Sequence, residues 1–136
     1  MDTLSRAERS ARMALVRSRD TKPEIRVRSA AHRAGFRYRL HVAGLPGRPD
    51  LVFPSARKII FVHGCFWHRH PGCPQNRTPK SRRGFWVPKL RQNRLRDRRV
   101  IRRLQNDGWK VEIIWECETT SPRLLRAKLR RFLGRK

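Results

Sequence analysis

Residues 64–88, GCFWHRHPGCPQNRTPKSRRGFWVP, follow neither the two-residue alternation of a strand nor the 3.6-residue period of a helix. An aperiodic connection of that length is uncommon inside a compact domain, so something other than a hydrophobic face has to hold it. Immediately before it, residues 58–63 read KIIFVH, an unbroken apolar run of the kind found in strands covered on both faces. The chain therefore predicts a central strand that runs directly into a loop in need of a pin. With 136 residues in total, there is room for one such core and no second sizeable domain.

The cysteines offer that pin. Three cysteines cannot all pair internally, and the N-terminus, MDTLSRAERS, lacks the apolar core of a secretory signal, so a reducing cytoplasm is the expected compartment. Cys65, His70 and Cys73 have the spacing of zinc ligands, and Cys117 follows the last predicted strand. One tetrahedral site would use all three thiols and tie the loop to the end of that strand. A closed site of this kind is structural rather than catalytic. The plainer reading is of small buried thiols beside a surface histidine, which leaves the loop unheld.

Thr21-Lys22-Pro23-Glu24 is a capping box with proline in the first turn, and Val27, Ala30, Ala31 and Ala34 recur at helical spacing up to a stop at Gly35. Strands are predicted over residues 36–41, 50–53 and 58–63, and a second helix over residues 89–107, stopped by Gly108. Its apolar stripe is Leu90, Ile101 and Leu104, and Asp97 lies on the same stripe. Trp109, Val111, Ile113 and Trp115 alternate as a fourth strand, and Ser121-Pro122 opens a last helix with Leu125, Leu129 and Phe132 inward. The order α, three strands, α, strand, α predicts an α/β fold. Residues 1–20 read as a basic arm, partly helical, and residues 21–136 as a single domain with no internal repeat.

Lys and Arg number 35 against 10 Asp and Glu, a formal charge of +25, which is tolerable mainly when a polyanion neutralises it; nucleic acid is the obvious partner. The longest aliphatic run, residues 59–62, falls far short of the roughly 20 residues of a membrane span. Four Trp and six Phe exclude a wholly disordered basic tail.

In so basic a chain each acid and each histidine invites a question. Asp50, after LPGRP at a strand start, could offer hard oxygens to Mg²⁺ or could be a turn residue. Glu24 could merely complete the capping box, although its spacing from Val27 and Ala31 leans it toward the core. Asp97, inward on a helix, could orient a histidine or pair with an arginine. His63 and His68, outside the thiol set, suit acid–base work or a hydrogen-bonded structural role. His32 and His41 have no such context and read as ordinary histidines. Phe66-Trp67 and Phe85-Trp86 are each core plus rim by default, the reading kept for Phe85. Loop aromatics in a basic chain could instead wedge between bases, where unstacking costs a few kcal/mol and less at a mismatch.

RDTKPE at 19–24, PGRPD at 46–50, FVHGCFWH at 61–68, FW at 85–86, RDRR at 96–99 and WEC at 115–117 closely resemble the very short patch repair (Vsr) DNA mismatch endonucleases, over about residues 5–133. The resemblance implies a restriction-endonuclease-like core with a mixed central sheet flanked by helices, a structural zinc, and Mg²⁺-dependent nicking 5′ to the thymine of a T·G mismatch left by deamination of 5-methylcytosine. It implies Asp50 as the direct Mg²⁺ ligand, with the backbone carbonyl of Val62 beside it and Glu24 holding metal-bound water. His68, oriented by Asp97, would activate the attacking water, and His63 would assist at the phosphate or leaving group. Phe66, Trp67 and Trp86 would enter double-stranded DNA from the major groove, and Met13 of the arm would approach the minor groove. Among the Cys/His residues of the loop, the resemblance favours His70 as the fourth zinc ligand. It also implies a bacterial, cytoplasmic, nucleoid-associated monomer. Restriction-type nucleases usually carry a second carboxylate and a lysine on the strand after the metal-binding aspartate, whereas Phe61-Val62-His63 offers neither, in keeping with a histidine-based variant. The rival expectation is a non-catalytic basic zinc module that binds nucleic acid, which has no need to combine Asp50, Asp97 and two spare histidines.

Overall fold

The computed structural model describes residues 20–134. Helix α1 (Lys22–Arg33) is followed by strands β1 (Arg39–Leu40), β2 (Leu51–Phe53) and β3 (Lys58–His63). Helix α2 (Arg83–Asn106) leads to β4 (Lys110–Trp115), a 3₁₀ turn (Glu116–Thr120) and helix α3 (Pro122–Leu133). The sheet order is β1-β2-β3-β4, antiparallel across the first two pairs and parallel between β3 and β4. A parallel pair needs a crossover, and α2 supplies it. The class is mixed α/β, as the element order predicts.

β3 is apolar from Ile59 to Val62 because both of its faces are covered. Ile60 packs with Val27, Ala31, Leu51, Ile114, Leu125 and Leu129, a core built under α1 and α3. Ile59 and Phe61 pack with Val52 and Leu104, the core under α2. Each fully buried aliphatic contributes roughly 1.5–3 kcal/mol of transfer free energy, so these two layers fix which side of the sheet each later residue meets. By the same two-residue alternation His63 falls on the α2 side. The parallel register sets His63 opposite Trp115, so the chain segments leaving β3 and β4 start side by side.

The capping box at α1 forms as predicted: Glu24 N–H donates to Thr21 Oγ1 at 3.4 Å, and Thr21 N–H donates to Glu24 Oε2 at 3.2 Å. Ser121 likewise caps α3, accepting from Leu124 N–H at 3.3 Å. Two elements depart from expectation. The strand predicted over residues 36–41 shrinks to Arg39–Leu40, because Phe36 is drawn into the core beside Ala31 and His41 turns to φ 50. Helix α2 begins at Arg83 rather than at residue 89, which removes the last six residues from the predicted loop. Pro88 lies inside the helix and cannot donate to the carbonyl of Gly84, a loss confined to one bond. The second turn forms because Trp86 and Leu90, four residues apart on one face, bury together against Phe66 and Trp67.

The proposed arm over residues 1–20 lies outside the described residues except for Asp20, and Met13 lies outside them altogether. Among the described residues no helix is long and apolar enough to cross a membrane.

Candidate active site and metal centre

A cleft of about 440 Å³ opens where α1, the ends of β2 and β3, and α2 meet, and Glu24, Asp50, His63, His68 and Asp97 all line it. Asp50 is delivered by the Pro46–Pro49 turn, which packs directly on α2. A Cβ on Gly47 would stand 2.4 Å from Val100 Cγ1, and Gly47 has φ +74, so only glycine lets the turn lie this close. Asp50 Oδ2 then accepts from Val62 N–H at 2.6 Å. Burial, and behind it the neighbouring carboxyl of Glu24, pushes the Asp50 pKa up to about 8 against the lowering effects of Val62 N–H and Arg28. Glu24 is itself 4% exposed. It both closes the capping box and faces the cleft, so the two alternatives read from its position hold together. Two carboxyls forced together out of water form a donor set suited to a hard cation, which would neutralise both.

Across the cleft, His68 Nδ1 lies 2.6 Å from Asp97 Oδ2; an ionised carboxylate can only accept, which would put a ring proton on Nδ1. The ring of His63 stacks on that of His68, centroids 3.8 Å apart and 9° from parallel. Phe61 and Trp115 enclose His63 further, with centroids at 5.6 and 5.4 Å. Burial foremost, with the adjacent His68, lowers the His63 pKa to about 3, so this ring stays neutral at physiological pH. His63 Nδ1 is buried and has no hydrogen-bond partner. Asp97, left open between orienting a histidine and pairing with an arginine, takes the histidine.

Beyond the end of the sheet, Cys65, His70, Cys73 and Cys117 converge with their donor atoms all within 4.8 Å of one another. His70 Nδ1 lies 3.6 Å from Cys65 Sγ and 3.4 Å from Cys117 Sγ. A tetrahedral zinc with bonds of about 2.0–2.3 Å holds its ligands roughly 3.5–3.8 Å apart, so the four donors fit that ion. Burial, and then the neighbouring thiols, drives the Cys65 thiol up to about 12, a state that a bound cation would relieve. A supporting layer is already in place. Trp115 stacks on His70 at 4.2 Å, and Glu116 Oε1 accepts from Cys65 N–H at 3.3 Å.

The aromatics of the loop form a small cluster of their own. Phe66, Trp67 and Trp86 meet at centroid distances of 5.2, 5.3 and 6.0 Å. Trp86 is only 2% exposed and its indole N–H is unpartnered, whereas Phe85, one residue earlier on the helix, is 38% exposed. Core plus rim thus describes this pair, with Phe85 at the rim. Phe66 and Trp67 remain partly open.

The cleft also holds residues that sequence reasoning passed over. His41, read as ordinary, lines it together with Arg48 and Arg96. Arg28 reaches Glu24, Asp20 and His41 at once. The i,i+4 spacing of Glu24 and Arg28 was a usable signal for the first of these contacts. Nothing local marked His41, whose placement depends on β1 lying beside α1.

Residues 1–75 match the family model of the DNA mismatch endonuclease Vsr. The chain is 49% identical over 132 residues to the type II nicking enzyme V.XorIIP of Xanthomonas oryzae pv. oryzae, covering 97% of this chain and 96% of the relative. It is 46% identical over 116 residues to the DNA mismatch endonuclease Vsr of Escherichia coli, covering 85% and 74%. A third relative, the type II nicking enzyme V.NaeI of Lentzea aerocolonigenes, is 42% identical over 118 residues, covering 82% and 69%.

Proposed function

The chain belongs to the Vsr family of DNA mismatch endonucleases, and on that footing we propose that it nicks duplex DNA 5′ to the thymine of a T·G mismatch, with Mg²⁺ at Asp50 and zinc at the cysteines. The observation that carries this reading is the meeting, in one cleft, of the Glu24–Asp50 carboxyl pair with a histidine already bonded to a carboxylate at 2.6 Å. A basic binding module has no use for that combination.

Asp50, the Val62 carbonyl and Glu24 through water would hold the cation, which supplies charge stabilisation at the phosphate. His68 takes the proton of the attacking water on Nε2, while Asp97 keeps its Nδ1–H and thereby its tautomer fixed. His63, held neutral, packs the second ring against His68 and faces the phosphate or leaving group without adding charge. Phe66 and Trp67 enter the DNA beside the mismatch, and Trp86 follows by exchanging its packing in the cluster for stacking on bases, at least cost where pairing is weak. Met13 of the arm approaches the minor groove. Cys65, His70, Cys73 and Cys117 would hold zinc, which would tie the loop that carries Phe66, Trp67 and His68 to the end of β4. The core is of the restriction-endonuclease type, and the protein acts as a monomer in the bacterial cytoplasm at the nucleoid.

The test is a labelled T·G duplex and its T·A control incubated with the protein and Mg²⁺. Nicking of the first alone, lost in Asp50→Ala and in His68→Ala, is the expected result. Nicking that survives either substitution removes the catalytic assignment, and equal binding to both duplexes with no cut returns the protein to the binding-module reading.

A further inference from the structure

We propose that Arg28 is the resident counter-ion of the Glu24–Asp50 pair, a positioning residue that balances the acidic side of the cleft before a divalent cation arrives and opposes that cation once it binds. The inference rests on the reading of Glu24 and Asp50 as cation ligands.

Arg28 sits one helical turn after Glu24 on α1, with its side chain 14% exposed against 5% for Glu24. Its guanidinium bridges the buried and exposed ends of the site. Nη2 lies 3.4 Å from Glu24 Oε2, and Nη1 donates to Asp20 Oδ1 at the surface at 2.7 Å. Two further contacts hold the residue in place. Its Nη2 is 3.3 Å from His41 Nε2, and Tyr38 Oη–H donates to its carbonyl at 3.3 Å.

Aim and charge can be separated here. Glu24 already has its carboxylate oriented by Thr21 N–H at 3.2 Å, through a capping box that does not involve Arg28. The Glu24–Arg28 contact is the longer of the two, and the shorter of Arg28's own ion pairs is with Asp20. What Arg28 adds is therefore a fixed positive charge beside two buried carboxyls, and its field acts on Asp50 as well as on Glu24. A fixed cation stabilises such a pair when nothing else neutralises it. The same cation repels Mg²⁺ entering between those carboxyls, in a partly buried setting where screening is weak.

The test compares the full-length chain with Arg28→Met and Arg28→Lys by thermal melting across a Mg²⁺ titration without DNA, with Asp50→Asn as reference. The Met variant should melt below wild type in magnesium-free buffer, yet show a Mg²⁺ midpoint about three- to tenfold lower and a larger Mg²⁺-induced rise. The Lys variant, which keeps the charge, should return both quantities toward wild type. A Met variant whose melting loss is the same with and without Mg²⁺, or whose midpoint is unchanged or higher, overturns the proposal, as does a Lys variant that behaves like Met. If wild type gains no Mg²⁺ stabilisation that Asp50→Asn removes, the ligand reading of the pair fails first, and the counter-ion role falls with it.

Discussion

Asp50→Asn should stabilise the magnesium-free chain at alkaline pH and abolish a pH dependence that wild type shows. In the folded chain Asp50 titrates at about 8, against an ordinary value of 3.8, because it is buried beside Glu24. Between those values the native state binds a proton that the unfolded state does not, so stability falls as pH rises and the contribution is gone above pH 8. His63 has the opposite sign. Its folded pKa lies near 3, below the ordinary 6.5, so its contribution saturates about one unit above 6.5 and is lost on acidification. A window from pH 6.5 to 8 is therefore dominated by Asp50. Across it, at 1.36 kcal/mol per unit for a fully engaged proton, wild type should lose roughly 1–2 kcal/mol, a few tenths of a kcal/mol of the Asp50 loss being offset by His63. For a chain of this size that corresponds to a few degrees in melting temperature. Asparagine keeps an acceptor for Val62 N–H and carries no charge, so the variant should be flat within about 0.5 kcal/mol over the same window. Urea melts of both proteins at four pH values, in magnesium-free buffer, decide it. Parallel slopes in the two proteins would refute the argument that the buried carboxyl pair is the source.

Three further outcomes follow from the geometry. Asp97→Asn keeps the shape of the His68 contact but no longer enforces its tautomer, so nicking should slow about 10²–10⁴-fold while duplex binding measured by anisotropy stays within twofold, roughly. Gly47→Ala brings a Cβ to 2.4 Å from Val100 Cγ1 at φ +74, which should cost about 2–3 kcal/mol in denaturant melts. Val100→Ala in the same chain should return the steric part and leave the backbone part, a partition that a double-mutant cycle reads directly. Metal analysis in reducing buffer should find about one zinc per chain, and less than half of that in Cys117→Ser, with the variant more easily cut by protease within residues 64–82.

What the sequence disclosed depended on how local each determinant is. The Thr21 and Ser121 caps and β3 were legible because their signals span only a few residues. The start of α2 was not, since Pro88 reads locally as a break, and only the burial of Trp86 with Leu90 against Phe66 and Trp67 outweighs it. β1 came out shorter than its alternation suggests for the converse reason: the pattern is strand-like, but Phe36 belongs to the α1 core instead. The Cys/His cluster was visible because three of its members lie within one loop and the fourth follows the strand parallel to β3. Glu24 and Asp50, on elements separated by β1, could be joined from the sequence only through the family resemblance. His41 and Arg28 were missed because their contact is made across α1 and the chain after β1.

The parity of β3 ties the two halves of the cleft together. Its odd positions, Ile59, Phe61 and His63, face α2, so His63 continues an apolar face and inherits its dryness. A second histidine stacked on it at 3.8 Å cannot share a positive charge with it at small cost. Asp97, one turn before Ile101 on the helix that covers this face, bonds to His68 and not to His63. The ring that faces a carboxylate is thus His68, while His63 stays neutral. In the same cleft, the backbone N–H of Val62, one residue before His63, donates to Asp50 Oδ2, and Asp50 stands beside Glu24. The end of β3 thus sets His63, the ring stacked on His68, one residue from the backbone group that holds Asp50. On the proposed function, that spacing would set the histidine pair beside the carboxyl pair before any substrate is bound, with the rest of the +25 charge left to grip phosphate without regard to sequence.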